Sequence, residues 1–257
     1  MNTFISDTLH LLIRHLRTTL RIPIWIVVTL VQPVIWLTLY GQLFRRVVEL
    51  PGFGNTTYIQ FLTPGVVIMT ALFGSAWSGM GLIEDLNEGV MDRMLATPAH
   101  RGALIAARVL HAAVTVLVQS LIILLFGLVL GASLPGGIGA FLAILGIAAL
   151  LGAGFSAFSN GVALLTRREE TLIAVINFFG MPLTFLSTAF MAATLMPSWI
   201  GVIATVNPVN WGVNAARDAM AGVNWGGVGV NMALLAGFVL VTSFFASQAF
   251  RVYRRAA

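Results

Sequence analysis

Apolar residues follow one another along this chain in long stretches separated by short charged links. The pattern lacks both the strict alternation of a half-buried strand and the broad polar face of a soluble helix. Six runs stand out, at approximately 22–44, 59–83, 104–130, 138–165, 171–193 and 229–250, with Pro or Gly marking several of their ends. Each has room for the roughly 20 apolar residues that a helix needs to cross a hydrocarbon core. Lipid offers backbone N–H and C=O groups no partners, so a segment that closes its own hydrogen bonds is favoured and each run is expected to be helical. The expected fold is all-α and integral to a membrane. It is one domain over 1–257, divided into an interfacial helix at 1–21, a six-span bundle at 22–250 and a tail at 251–257.

The first 21 residues read differently. Ile5, Leu9, Leu12, Leu16 and Leu20 recur at helical spacing, whereas Asp7, His10, Arg14, Arg17 and Arg21 fall mostly elsewhere around the helix. That is the pattern of an amphipathic helix lying on lipid or packing on another subunit. The segment is too long and too polar for the n-region of a cleavable signal, so the first span is expected to stay in the mature protein. An even number of spans puts both termini on one side. Counting Arg14, Arg17, Arg21, Arg93, Arg101, Arg108, Arg167, Arg168, Arg251, Arg254 and Arg255 inside leaves Arg45, Arg46 and Arg217 outside, 11 against 3. Basic residues concentrate in cytoplasmic loops, so both termini are expected in the cytoplasm.

Composition agrees with a lipid solvent: 58% of residues are hydrophobic and 9% charged, against about 45–50% and about 25% in soluble domains. A net charge of +5 and a pI near 11.0 would suggest nucleic acid in a soluble protein. Here the basic residues sit between apolar spans, and no nucleic-acid partner is expected. All 14 basic residues are Arg, and there is no Cys. Disulfides, thiolate metal sites and cysteine nucleophiles are therefore excluded.

Charges at bilayer depth are costly and are retained for function. The six runs hold none well inside them; Arg108 and His111 lie near the cytoplasmic end of the third. Proton relays, metalloprotease helices and nucleophile elbows are missing, so no catalytic residue and no metal site is expected. Gly152-Ala-Gly154-Phe-Ser-Ala157 loosely matches a dinucleotide fingerprint, but it lies within an apolar run, and helix packing is the better reading. The pairs Gly74/Ser78, Ser75/Gly79 and Gly152/Ser156 have the small-xxx-small spacing of closely packed helices. A phosphate-cradling Walker sequence needs a Lys, and the chain has none. If the chain transports, its energy must arrive through a cytoplasmic contact.

The most charged segment, Glu84 to Arg101, is where such a contact is expected. Ile83, Leu86, Val90 and Met94 have helical spacing and Pro98 would stop the helix. Composition alone fits a coupling helix and a solvated loop equally. Glu84-Asp85, Gly89, Asp92-Arg93, Pro98 and Arg101 resemble the signature after the second span of ABC-2 type permeases, especially their daunorubicin-resistance branch. Met181-Pro182, Phe185-Leu186-Ser187, Phe190, Pro197, Trp199-Ile200, Asn207-Pro208-Val209 and Arg217 resemble that family's fifth span and the extracellular segment after it.

The resemblance implies the type V exporter fold, with a re-entrant segment between spans 5 and 6. It also implies a half-transporter: the chain pairs with a second copy or a paralogue, and each membrane subunit sits on an ATPase subunit that holds ATP and Mg. No cofactor is expected in this chain itself. Carried over, Glu84, Asp85, Glu88, Gly89, Asp92 and Arg93 become the candidate contact with the ATPase, and Arg167, Arg168, Glu169 and Glu170 a second one. Phe73 and Trp77 of span 2 and Asn177, Phe178, Met181 and Phe185 of span 5 become candidate pathway residues. Pro197, Asn207, Pro208, Asn210 and Arg217 mark the re-entrant segment, where Asn214 is a further polar residue able to satisfy freed backbone groups or seal the exit. The expected function is ATP-driven export of a hydrophobic or amphipathic compound such as a drug, an antibiotic or a lipid-like molecule. Export of a cell-wall glycan or glycolipid, and a non-transporting scaffold or sensor subunit, are the alternatives.

Overall fold

Helix α1, Asn2–Arg21, lies on α7, Arg101–Val129. The computed structural model describes residues 2–21, 23–46, 48, 57–95 and 101–256, with the side chains of Asp92 and Arg101 outside that description along with the whole of Pro98. Thr19 Oγ1 and His111 Nε2 share a hydrogen bond of 2.8 Å, and the His15 and His111 rings stand 5.7 Å apart. Ile5, Leu9 and Leu20 of the apolar stripe remain exposed, so the face expected to meet lipid is not covered by this chain.

Pro33 lies inside α2, Pro23–Ile35. A proline there removes one backbone donor and crowds the preceding turn. A π-helical turn follows at Trp36–Tyr40, and α3, Gly41–Leu43, ends the segment. Helix α4, Tyr58–Ala76, starts from Thr57, whose hydroxyl accepts from Gln60 N at 3.3 Å. It breaks at Trp77 into α5, Ser78–Asn87, and a turn at Glu88 and Gly89 leads to α6, Val90–Leu95.

The remaining elements are α8 at Gly137–Thr166, α9 at Glu169–Phe185, a 3-10 turn at Ala193–Leu195, α10 at Ser198–Thr205, α11 at Pro208–Ala221 and α12 at Trp225–Ala256. The helix α8 sits at the centre, packed on α4, α5, α7, α9, α11 and α12. Its small residues allow this. A Cβ on Gly154 would lie 2.5 Å from the Phe238 ring, one on Gly161 2.5 Å from the Phe245 ring, and one on Gly152 2.9 Å from Val116. The glycines at 152 and 154 are thus close-packing sites in mid-helix, and the dinucleotide reading of this stretch is set aside.

Among the described residues four helical stretches are long and apolar enough to cross a membrane: Tyr58–Asn87, Gly102–Val129, Gly137–Thr166 and Trp225–Tyr253. The segment Val27–Leu43 is a shorter apolar helix, and α9 has 17 residues. Three of the six predicted runs are therefore altered, the first being the shorter apolar helix Val27–Leu43 with a π-turn inside it. The second is interrupted at Trp77. The fifth stops at Phe185 instead of continuing to 193: Ser187 Oγ donates to Thr184 O at 2.6 Å, and Thr188 N donates to the Asn210 side chain, not to a helical carbonyl.

Candidate functional site

One buried cluster gathers the end of the bundle where the charged links lie. Leu82 and Ile83 of α5, Met91 of α6, Leu164 of α8, Leu172 of α9 and Tyr253 of α12 pack there, which places both candidate ATPase contacts around a single hydrophobic support. Gly89 has φ of +65° with nothing within 4 Å of a built Cβ, so it is the backbone conformation of the turn, not crowding, that favours glycine. Arg93 folds back on the turn: its Nη2 donates to Glu88 O at 3.1 Å and its Nε to Gly89 O at 3.3 Å. A cation is well placed on the last carbonyls of α5, where the helix dipole is negative.

The acidic residues of this segment do not form one face. Glu84 and Glu88 are exposed, whereas Asp85 is turned inward. Its Oδ2 accepts from Arg108 Nη2, and Arg14 Nη2 stands 3.9 Å from its Oδ1. Arg108 also donates to Gly81 O at 3.3 Å. Asp85 thus ties α5 to α7 and α1, and among the described side chains of the turn the outward-facing charges are Glu84, Glu88 and Arg93. His15 lies beside this pair on α1. Burial, followed by the nearby Arg108, His111 and Arg14 charges, pushes its imidazole down to about 3, so it packs as a neutral ring.

In the second charged link, Arg167 takes the left-handed conformation that closes α8, with φ 54°, and its guanidinium lies 4.6 Å from the Tyr253 ring. Arg168 is exposed, and Glu169 and Glu170 occupy the first turn of α9, where negative charge suits the helix dipole.

The break at Trp77 joins this end to the interior of α4. Ser159 Oγ of α8 donates to Ala76 O and accepts from Gly79 N at 3.0 Å. Ser156 Oγ donates to Ser78 Oγ at 2.9 Å, and Asn160 Nδ2 donates to the same hydroxyl at 3.0 Å. Sequence reasoning took Ser156 only as a small packing residue and passed over Ser159 and Asn160. Their signal was three polar residues at positions i, i+3 and i+4 of an otherwise apolar run, a helix face aimed at one partner.

The six pathway candidates fall into two groups. Phe73 and Trp77 line a chamber between α2, α4 and α7. Asn177, Phe178, Met181 and Phe185 lie exposed along one face of α9, and it is Gly180, on another face, that meets Phe73. A single chain does not bring the two groups into one cavity.

The candidates after α9 do converge. Asn207 begins α11, accepting from Val209 N at 2.9 Å, while its Nδ2 donates to Leu183 O at 2.7 Å and Leu186 O at 3.1 Å. Pro208 follows at the first helical position, where its missing N–H costs nothing. Asn210 Oδ1 accepts from both Thr188 N and Thr188 Oγ1, and its Nδ2 donates to Ala204 O. Asn214 Oδ1 accepts from Thr188 Oγ1 at 2.9 Å. Arg217 Nη2 donates to Thr188 O at 2.8 Å, with its guanidinium 3.9 Å from the Phe61 ring. Pro197 precedes α10 and is exposed. Asn207, Asn210 and Arg217 therefore satisfy backbone groups that the end of α9 sets free, and Asn214 holds the Thr188 hydroxyl.

Long apolar helices around an α8 core, a charged turn at one end and a polar-stapled chain break after α9 define a multi-pass membrane permease. The chain belongs to the ABC-2 type transporter family, whose description matches residues 7–221. It is 32% identical over 224 residues to the ycf38 protein of Cyanophora paradoxa, covering 86% of this chain and 77% of that one. It is 28% identical to the daunorubicin resistance ABC transporter permease protein of Streptomyces coeruleorubidus, over 98% of this chain and 87% of that one. A protein of Mycobacterium tuberculosis named for doxorubicin resistance is 24% identical, over 85% and 79% of the two chains. These likenesses put the chain with the daunorubicin-resistance-like branch.

Proposed function

We propose that this chain is the transmembrane subunit of an ATP-driven exporter, moving a hydrophobic or amphipathic compound outward at the expense of ATP hydrolysed, with Mg, on a separate ATPase subunit. In this reading the chain crosses a bacterial plasma membrane six times with both termini in the cytoplasm. The segment 22–44 and α9 are spans one and five, and 193–221 is a re-entrant segment in the outer leaflet. A second copy or a paralogue completes the pathway by meeting the exposed face of α9.

The observation that carries the reading is the α5–α6 turn. It holds Glu84, Glu88 and Arg93 outward on a helix that is tied by Asp85 to α1 and α7 and by Ser78 and Gly79 to α8. A displacement of this turn would reach Trp77 through a single helix, α5, and Phe73 lies one turn further on, at the end of α4. The relatives named for daunorubicin and doxorubicin resistance favour a drug-like cargo over a glycan.

Inverted membrane vesicles containing the chain and its partner ATPase should accumulate daunorubicin when ATP and Mg are supplied, and should stop when the ATPase is omitted. Uptake that ignores ATP, or none at all, would overturn the proposal.

A further inference from the structure

Three hollows adjoin one another within the chain. The innermost, a chamber of about 100 Å³, is bounded by Thr29 and Trp36 of the α2 region, Phe73 and Trp77 at the end of α4, and Gln119 of α7. A groove of about 700 Å³ shares Thr29 and Trp77 with it and passes Met80 and Gly81 to reach Thr18 and Thr19 of α1. A third hollow, about 290 Å³, shares Thr18, Thr19, Gly81 and Glu84 with the groove and ends at Arg14, His15 and Arg108. The shared walls set the three hollows side by side, from the charged cluster under α1 to a chamber beside α4.

Gln119 is only 3% exposed. Its Nε2 donates to Thr29 Oγ1 at 2.9 Å, while its Oε1 is buried without a hydrogen-bond partner among the described residues. That oxygen stands over Gly74, where a built Cβ would lie 2.3 Å from it, and Gly74 itself lines the chamber. A buried carbonyl in this position rewards any donor brought to it, because it gave up its water on folding. Trp36, Phe73 and Trp77 give the chamber aromatic walls, with Thr29, Thr70, Val66 and Met69 between them. Drug-sized ligands occupy pockets of about 300–1,000 Å³, so the chamber alone takes about one ring system, and the groove is large enough for the rest of such a molecule.

We propose that the chamber docks the planar aromatic end of an amphipathic compound within a single subunit, its entry turning the Gln119 amide off Gly74 so that a hydroxyl or amine of the compound donates to Gln119 Oε1, with the remainder lying in the groove toward α1. This rests on the export reading and names where cargo is first held.

The test uses the complete permease–ATPase complex in lipid nanodiscs, with daunorubicin as the probe, read by quenching of tryptophan fluorescence. Gln119→Leu keeps the size of the side chain and should weaken binding about tenfold, the loss of roughly one buried hydrogen bond. Trp77→Phe should remove much of the quenching while the thermal midpoint stays near that of the parent. Leu240→Ala, on the exposed surface of α12, should leave the affinity as it was. Affinity and quenching untouched in the Gln119 and Trp77 variants, in a complex that still exports daunorubicin, would overturn the chamber and leave the exporter standing. Affinity lost in Phe178→Ala, on the exposed face of α9, instead of in those two variants would place the cargo there and overturn it equally. A complex without ATP-driven export fails at the earlier step, and the chamber falls with it.

Discussion

Asp85→Ala should destabilise the chain by about 3–5 kcal/mol, the cost of leaving the other half of a buried ion pair without its partner. The partner is Arg108, 9% exposed, whose guanidinium would keep only the Gly81 carbonyl of the two hydrogen-bond partners recorded for it. Attraction between the two charges is not the main reason for the size of the effect, since a well-placed buried pair roughly offsets its own desolvation. The loss comes from the orphaned cation. It follows that Asp85→Asn combined with Arg108→Met should recover most of the stability, because the double replacement removes both charges together. Thermal unfolding of the detergent-solubilised chain, comparing both single variants and the double, measures this directly. A double variant as unstable as Asp85→Ala would show that the side chains are held for packing.

Asn210→Leu is the second large effect. One amide satisfies Thr188 N, Thr188 Oγ1 and Ala204 O, all around the break between α9 and α11. An apolar side chain of similar size leaves the buried Thr188 N–H without its partner, at about 1–3 kcal/mol, while Ala204 O keeps the Asn207 N–H donor at 3.2 Å. Asn214 and Arg217 still hold the Thr188 hydroxyl and carbonyl, so the segment should stay folded but loosen. Hydrogen exchange should rise first at residues 186–192 and in α10, well before the α8 core opens.

The sequence made the membrane bundle legible because an uncharged run of 20 residues has few alternatives to a helix in lipid. It also located the charged turns, since a charge excluded from lipid marks a link. What it left open was direction. Asp85 and Glu84 are adjacent and chemically alike, yet the first pairs with Arg108 across to α7 and the second is exposed. Only the helix phase set by Leu82 and Ile83 in the core separates them. The end of the fifth run was misjudged for a related reason. Residues 186–193 are apolar enough to continue a helix, and the side chains that stop it, Asn207, Asn210 and Arg217, come from beyond the break. The same holds for Gln119, whose polar side chain reads as an isolated exception in an apolar run until Gly74 and Thr29 are placed beside it.

In the exporter proposed above, energy enters at the α5–α6 turn, where the Glu84 and Glu88 side chains are exposed. Stimulation of ATP hydrolysis by cargo, measured on the reconstituted permease–ATPase complex, tests that most directly. With the native turn, daunorubicin should raise the hydrolysis rate. With Glu84→Arg or Glu88→Arg, the stimulation should largely disappear as like charge or lost contact uncouples the turn from the ATPase. Stimulation undiminished in both variants would contradict the account.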